Sequence, residues 1–252
     1  MLTFPVCLFG GGGVNAVDFN GSNQRITFSN ATLSNSSTGI FSVWFRQDIA
    51  DAAAHTIWDD GSTSAYIQLR YASNKGLDFN LRSLAGDIYR YRSANDSYNS
   101  TGVWHHFLAS WDVNAAAGAR TVHIYEDDSD NTGSALSITD TGSAYSVYYN
   151  GGGGSSALGV TGTSDFWNGC LAEVYFAPNQ YLDLTVEANR RKFRSPTGSP
   201  VSLGADGSTP TGVAPYLYLQ NPASTFNINS GSGPDGTVVN GPLSGCSTIP
   251  KP

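Results

Sequence analysis

The feature that most constrains this chain is a long series of short segments in which apolar and polar residues alternate. Clear examples span residues 16–20, 24–28 and 41–45. A period of two is typical of β-strands that bury one face, and the Gly, Asn, Asp and Ser clusters between the segments are typical of tight turns. The series continues at residues 65–70, 77–81, 87–92, 104–111, 120–125 and 171–176. This spacing predicts an all-β sandwich of two packed antiparallel sheets.

The amino-acid composition excludes some classes of function. Charged residues make up only 13% of the chain, and 13 basic against 20 acidic side chains give a net charge of −7. Hydrophobic residues at 40% and aromatic residues at 12% are enough for a large core, which excludes wholesale disorder. General nucleic-acid binding depends on basic side chains that neutralise phosphates. Because acidic residues outnumber basic ones in this chain, we expect no nucleic-acid partner.

Helical signal is confined to one short segment. Asp183 is placed to cap a helix over residues 184–193, and Arg190, Arg191 and Lys192 lie near its carboxyl end, where they suit the helix dipole. Pro196 ends the segment. We therefore predict one short helix in an otherwise all-β chain.

The 252 residues divide into three parts that differ in composition. Residues 1–13 form a Gly-rich arm, residues 14–195 carry the alternating segments, and residues 196–252 are rich in Pro and Gly. The last part is too polar to form its own core, yet it keeps short apolar runs. We expect it to be extended and to pack on the sandwich or on a neighbouring subunit.

Three cysteines, Cys7, Cys170 and Cys246, stand far apart in the sequence. An odd number without close spacing indicates neither a disulfide framework nor a zinc site, so we expect reduced thiols. The first residues lack the basic region of a secretory signal, and no stretch approaches the ~20 apolar residues that cross a bilayer. These features predict a protein that folds in a cytoplasm and does not insert into a membrane.

An ordered set of motifs resembles laminin-G-like, concanavalin A-like jelly-roll domains. The matching segments are 17–21, 25–28, 39–45, 56–61, 102–107, 122–126, 158–160 and 166–174. The resemblance covers roughly residues 14–194. It implies a concanavalin A-like antiparallel β-sandwich that serves as a binding or assembly module.

The carboxyl-terminal segment carries a second resemblance. Residues 200–212, 216–222 and 226–229 resemble the ends of laminin-G-like proteins from tailed bacteriophages. This implies a structural component of a virion, such as a capsid decoration, tail or fibre protein, assembled in the bacterial host cytoplasm. Its partners would be other virion proteins and further copies of itself, for instance in a trimer. The alternative is a lectin-like adhesin that binds glycans on the host surface.

Candidate catalytic groups do not form a catalytic pattern. His105 and His106 are adjacent on a strand, so their side chains point to opposite faces and cannot share a metal. Glycoside hydrolysis needs two carboxylates flanking the bond, and Glu173 has no second carboxylate two or four residues away. We interpret Glu173 as a hydrogen-bond acceptor that anchors a loop near a sheet edge. The sequence therefore predicts a protein that is not an enzyme.

Calcium is the one cofactor that the sequence suggests. Asp128, Asp130 and Thr132 place oxygen atoms at alternate positions before a glycine, as a calcium loop does. The acid expected at the twelfth position is replaced by Thr139. The other interpretation, which we prefer, is a solvated hairpin turn.

Two tyrosine-rich segments are candidates for carbohydrate binding or for a protein interface. Sugars stack on exposed rings and hydrogen-bond at the rim, and subunit contacts also favour Tyr and Arg. On a sandwich strand, however, alternating tyrosines usually belong to the core or to a subunit interface. The candidates are Tyr145, Tyr148, Tyr149 and Asn150 in one segment, and Tyr89 and Tyr91, with Arg90 and Arg92 opposite, in the other.

Overall fold

The alternating segments form the strands of two antiparallel sheets. The computed structural model describes residues 14–51, 53–60, 67–72, 74–114, 119–132, 135–137 and 154–251. The first sheet contains β1 (Ala16–Asn20), β3 (Thr38–Gln47), β8 (Trp104–Asp112), β9 (Thr121–Glu126), β10 (Ser129–Asp130), β13 (Asn168–Pro178), β14 (Leu217–Leu219) and β16 (Ser244–Gly245). The second contains β2 (Arg25–Ser29), β4 (His55–Asp59), β5 (Ile67–Tyr71), β6 (Leu77–Ser83), β7 (Gly86–Arg92), β11 (Ala135–Ser137), β12 (Ser155–Leu158) and β15 (Thr237–Val239).

The order of the strands confirms the predicted sandwich. The first sheet runs β10-β9-β8-β3-β13-β1-β16, and β14 pairs with β13 beyond the end of β1. The second runs β11-β7-β6-β5-β4-β12-β2-β15. Many neighbours in space are distant in sequence, so the fold depends on long-range pairing, as expected for a jelly roll.

The core lies between the inner faces of the two sheets. Trp58 from the second sheet packs against Phe41 and Phe176 of the first, with ring centroids 6.1 and 5.7 Å away. Phe79 of the second sheet packs on Phe107 of the first at 5.2 Å. All five rings are essentially inaccessible to solvent. Burial of several such rings is the main force that holds the two sheets together.

The helix is shorter than predicted. It spans Glu187–Arg190, and Asp183 does not cap it. The Asp183 carboxylate instead accepts hydrogen bonds from the amide and hydroxyl of Thr185 in a local turn. No helix of the described residues is long and apolar enough to span a bilayer.

The carboxyl-terminal segment packs on the sandwich of its own chain. It supplies β14 to the edge of β13, β15 to β2 and β16 to β1, so it extends both sheets. Leu217, Leu219, Phe226 and Leu243 join the core between the sheets. These contacts are made within one chain.

A disulfide bond ties this segment to the first sheet. Cys170 on β13 and Cys246 after β16 are bonded, with their Cα atoms 5.9 Å apart. The prediction of reduced thiols is thus wrong for these two residues. The reason is topological: β1 pairs with both β13 and β16, which brings together cysteines 76 residues apart in sequence. Cys7 lies outside the described residues.

Glu126, the last residue of β9, carries a buried carboxyl group. Its side chain lies near the hydroxyls of Tyr98 and Tyr91 and is largely removed from water. Burial raises the pKa of Glu126 from 4.5 to about 7, because the nearby hydroxyls of Tyr98 and Tyr91 only partly offset the cost of desolvating the charge.

We expect Phe226→Ala to lower the free energy of unfolding by about 3–5 kcal/mol, because it removes a ring from the core that the carboxyl-terminal segment completes. Ile228→Ala, two residues away and 45% exposed, is the matched control and is expected to cost about 0.5 kcal/mol or less. Urea denaturation measures both. Equal, small effects would mean that the segment is not part of the cooperative fold.

Reduction is expected to expose two further cysteines to alkylation in the unfolded chain, because Cys170 and Cys246 are bonded to each other. Intact-mass measurement before and after reduction counts the added groups. Replacing both residues with serine should lower the free energy of unfolding by about 2–4 kcal/mol, since the bond closes a long loop in the unfolded chain. An unchanged alkylation count would contradict the pairing.

The free energy of unfolding is expected to fall by about 2–3 kcal/mol as the pH rises from 4.5 to about 7. In this window the folded Glu126 carboxyl holds a proton that the unfolded carboxyl has released. Glu126→Gln should remove this part of the pH dependence, as measured by denaturation at pH 5 and pH 8. Glu187→Gln, on the exposed side of the helix, is the control. The same slope in all three proteins would contradict the assignment.

Candidate ligand-binding face

The two tyrosines predicted on β7 do not form a surface platform. Tyr89 and Tyr91 are 7% and 1% exposed and belong to the core between the sheets. The Tyr89 hydroxyl donates to the main-chain oxygen of Thr132 at 2.6 Å. The prediction of an exposed pair is wrong because alternation along β7 turns both rings inward. Tyr145, Tyr148, Tyr149 and Asn150 lie outside the described residues.

The same alternation turns polar side chains outward on the second sheet. The register places outward-facing residues of β4, β5, β6 and β7 side by side in two rows across the strands. We call these eight residues the polar face. One row contains Asp59, Gln68, Asn80 and Arg90, and the next contains Thr56, Arg70, Asp78 and Arg92.

Three arginines surround one buried carboxylate in the second row. Arg90 binds Asp78 through two hydrogen bonds of 3.0 and 2.7 Å, Arg92 donates at 2.6 Å, and Arg70 donates at 3.4 Å. The Asp78 side chain is 3% exposed, whereas the three arginine side chains are 27–32% exposed. Burial alone would raise the pKa of Asp78, but the hydrogen bonds from Arg90 and Arg92 outweigh it and lower the pKa.

The other row is also linked by hydrogen bonds. The Gln68 amide nitrogen donates to the Asp59 carboxylate at 2.7 Å and approaches the hydroxyl of Thr161 at 3.1 Å. Thr161 donates to the same carboxylate at 2.7 Å. This network holds the amide and the carboxylate of this row in fixed positions.

Some buried atoms of the polar face have no partner. Within the described part of the chain, Nε of Arg70, Nε of Arg92 and Oδ1 of Asn80 make no hydrogen bond, although each atom is shielded from solvent. Buried polar atoms are nearly always paired, so three such atoms on one face are unusual, although they are shielded from a ligand as well as from water. The side chains beside them that can reach a ligand are the partly exposed Gln68, Arg70, Arg90 and Arg92. The polar face is therefore the candidate site of this molecule.

The sequence contains a signal for this face, which the tyrosine-based prediction missed. In residues 77–82 the apolar members of the alternation, Leu77, Phe79 and Leu81, face the core. The intervening Asp78 and Asn80 must then share the outer surface. The packing of Asp78 against arginines of β5 and β7 depends on the register between strands, which the alternation does not specify.

The candidate calcium ligands have other partners. Asp127 and Asp128 form the two-residue turn between β9 and β10, both with positive φ, as a hairpin of this length requires. The Asp128 carboxylate accepts hydrogen bonds from Arg190 and Arg191 at 2.7 and 2.6 Å. Two guanidinium groups against this carboxylate oppose a bound cation, which corrects the calcium hypothesis and agrees with a hairpin turn.

The other two candidate calcium ligands, Asp130 and Thr132, also make local hydrogen bonds. Asp130 accepts hydrogen bonds from the Tyr125 hydroxyl at 3.2 Å and from the amide of Thr132 at 2.9 Å. The Thr132 hydroxyl oxygen accepts a hydrogen bond from the amide of Ile124 at 3.3 Å. Asp128, Asp130 and Thr132 thus each have hydrogen-bond partners within the protein.

The adjacent histidines lie on opposite faces of the first sheet, as predicted. His105 contacts the Asp127 carboxylate at 2.7 Å. His106 stacks on Trp44 at 4.6 Å and contacts the Ser42 hydroxyl at 2.9 Å. Burial lowers the pKa of His106 to about 3, so this ring is neutral and serves in packing.

Glu173 anchors the carboxyl-terminal segment. It lies at the bulge where the edge of β13 changes partner from β1 to β14, with a positive φ of 48°. Its carboxylate accepts a hydrogen bond of 2.7 Å from the Tyr218 hydroxyl. Burial raises the pKa of Glu173. Glu173 is therefore an anchoring acceptor, as predicted, but it lies on an inner strand of the sheet and its partner is on β14 and not in a loop.

Comparison with known proteins agrees with this architecture. Residues 20–180 match the family model described as the concanavalin A-like lectin/glucanases superfamily, of laminin-G type, over more than half of the chain. The chain belongs to this superfamily. No curated protein sequence matches it significantly.

Solved structures of low sequence identity share the fold. A protein from Bacteroides ovatus described as carbohydrate-binding aligns with a TM-score of 0.61 and 14% identity, over 93% of this chain and 61% of that one. The native heptameric SAP-like pentraxin from Limulus polyphemus aligns with a TM-score of 0.51 and 10% identity, over 93% of this chain and 96% of that one. At such identities the likeness establishes the fold.

Proposed function

We propose that this concanavalin A-like chain is a carbohydrate-binding protein and that the polar face is its ligand surface. The observation that carries the proposal is the pair of rows of hydrogen-bonding side chains on the outer face of β4 to β7, in which Gln68, Arg70, Arg90 and Arg92 are partly exposed. A Bacteroides ovatus protein with the same fold, which is named a putative carbohydrate binding protein, supports it.

The chemistry of the polar face suits a saccharide. Sugar hydroxyls both donate and accept, so their recognition requires closely spaced donors and acceptors held in place. The partly exposed arginines supply donors. Gln68 supplies an acceptor, its amide oxygen, because its amide nitrogen already donates to Asp59 and Thr161. The ion pairs and amide contacts within the rows fix these groups before a ligand arrives, which lowers the entropy lost on binding.

The same geometry favours binding without hydrolysis. A glycosidase needs one carboxyl group that stays protonated until it donates to the leaving oxygen. Arg90 and Arg92 lower the pKa of Asp78, which makes this carboxyl a poor proton donor. We therefore propose a binding protein that is not an enzyme.

A structural role in a bacteriophage virion is the second candidate function. The resemblance of residues 200–229 to the ends of phage laminin-G-like proteins favours it. A disulfide bond suits surroundings that are oxidising, as a released particle meets, more than a reducing cytoplasm. Because the carboxyl-terminal segment packs on its own sandwich, contacts with virion partners or further copies would use other surfaces. Mass spectrometry of purified particles, with the copy number per particle, tests this role.

We expect Gln68→Ala to weaken glycan binding about tenfold or more, because it removes an amide that is fixed between Asp59 and Thr161. The measurement is titration calorimetry with a glycan selected on an array by the unmodified chain. Thr27→Ala, on the outer side of β2 in the same sheet, is the control and should bind as the unmodified chain does. Equal losses in both variants, or none in either, would place the ligand elsewhere.

A further inference from the structure

We propose that the ligand of the polar face is an acidic saccharide, whose carboxylate or sulfate group is bound by Arg70 and Arg92 beside Asp78. This inference rests on the proposed function and names the class of glycan. Uronic acids, sialic acids and sulfated sugars share the required chemistry, a planar or tetrahedral oxyanion on a sugar ring.

Among the eight residues of the polar face, three arginines stand against two carboxylates. Arg90, with its two hydrogen bonds, is enough to balance the single carboxylate, so Arg70 and Arg92 add positive charge beyond it. The rest of the polar face carries one further charge, the Asp59 carboxylate, which lies in the other row and contacts Gln68. The positive excess is therefore local, on a chain whose net charge is −7.

Arg70 and Arg92 also keep hydrogen-bonding capacity for a ligand. A guanidinium group has five N–H donors in a planar fork. Each of these two arginines gives a hydrogen bond to a carboxylate oxygen, and both bonds go to the same atom, Oδ2 of Asp78. The two side chains are 29% and 32% exposed, so guanidinium N–H groups that do not contact Asp78 are accessible to a ligand. A carboxylate or sulfate accepts two such bonds from one guanidinium, an arrangement that is strong because both partners are charged.

A neutral acceptor lies next to the arginines. Oδ1 of Asn80, buried and without a partner in the described part of the chain, lies two residues along β6 from Asp78 and on the same face. A sugar that places its acid group on the arginines brings its hydroxyls over the adjacent row. The polar face thus offers two cationic donors, Arg70 and Arg92, at one row, and the amides of Gln68 and Asn80 between Asp59 and Arg90 at the next.

The test compares acidic glycans with their neutral derivatives on the unmodified chain. An array presents an oligogalacturonate with its methyl ester, sialyllactose with its methyl ester, and a sulfated disaccharide with its desulfated form. We expect at least one acidic member to bind about tenfold or more tightly than its neutral derivative, and salt to weaken that binding. The carboxylate and sulfate pairs show which of the two oxyanions is preferred.

Variants test which residues cause the preference for acidic glycans. The double variant Arg70→Gln/Arg92→Gln should lose the preference, and Arg92→Lys should weaken binding although it keeps the charge, because the ammonium group cannot form two parallel bonds. Arg25→Gln, on β2 of the same sheet and separated from β5 by β4 and β12, is the control. Thermal unfolding confirms that each variant is folded.

The outcomes separate this inference from the proposed function. Equal binding of acidic and neutral members overturns the acidic ligand and leaves carbohydrate binding standing. A preference for acids that persists in the folded double variant overturns the assignment to Arg70 and Arg92. Binding of no glycan on the array overturns the proposed function and this inference together.

Discussion

Burial of aromatic side chains between two sheets is the interaction on which the rest of the structure depends. Trp58 of the second sheet contacts rings of the first, and the carboxyl-terminal segment adds Phe226 to the same core. Because each strand contributes alternate residues to this core, the outward residues of the second sheet are fixed as a consequence. The polar face exists because the inner positions of β5, β6 and β7 are apolar or aromatic.

Charge has a different role on each side of the sandwich. On the first sheet the arginines near the helix are matched by acids, as Arg190 and Arg191 are by Asp128. On the second sheet three arginines share Asp78. Removing Asp78 from water is costly, and the surrounding guanidinium groups offset that cost. A buried carboxylate that holds several arginines in place is a way to keep positive groups fixed at a surface.

The sequence was sufficient for the strands and for the identity of the sandwich, because alternation and turn residues are local signals. It was insufficient for the direction of Tyr89 and Tyr91, since tyrosine suits either a core or a surface and the alternation alone does not say which face is buried. If the tyrosines of β7 faced solvent, they would form a platform of rings. Because they face the core, the arginines between them face outward. Burial of Phe79 on the neighbouring strand decides it.

Long-range pairing accounts for what sequence reasoning missed. Gln68 meets Thr161 across 93 positions, and Cys170 meets Cys246 across 76. Neither contact has a local signature, because each depends on which strands are neighbours and in which register. The disulfide fixes the last strand beside β1, whose partner β13 carries Phe176, one of the rings that pack on Trp58. The bond thus stabilises the same core that turns the polar residues of the second sheet outward.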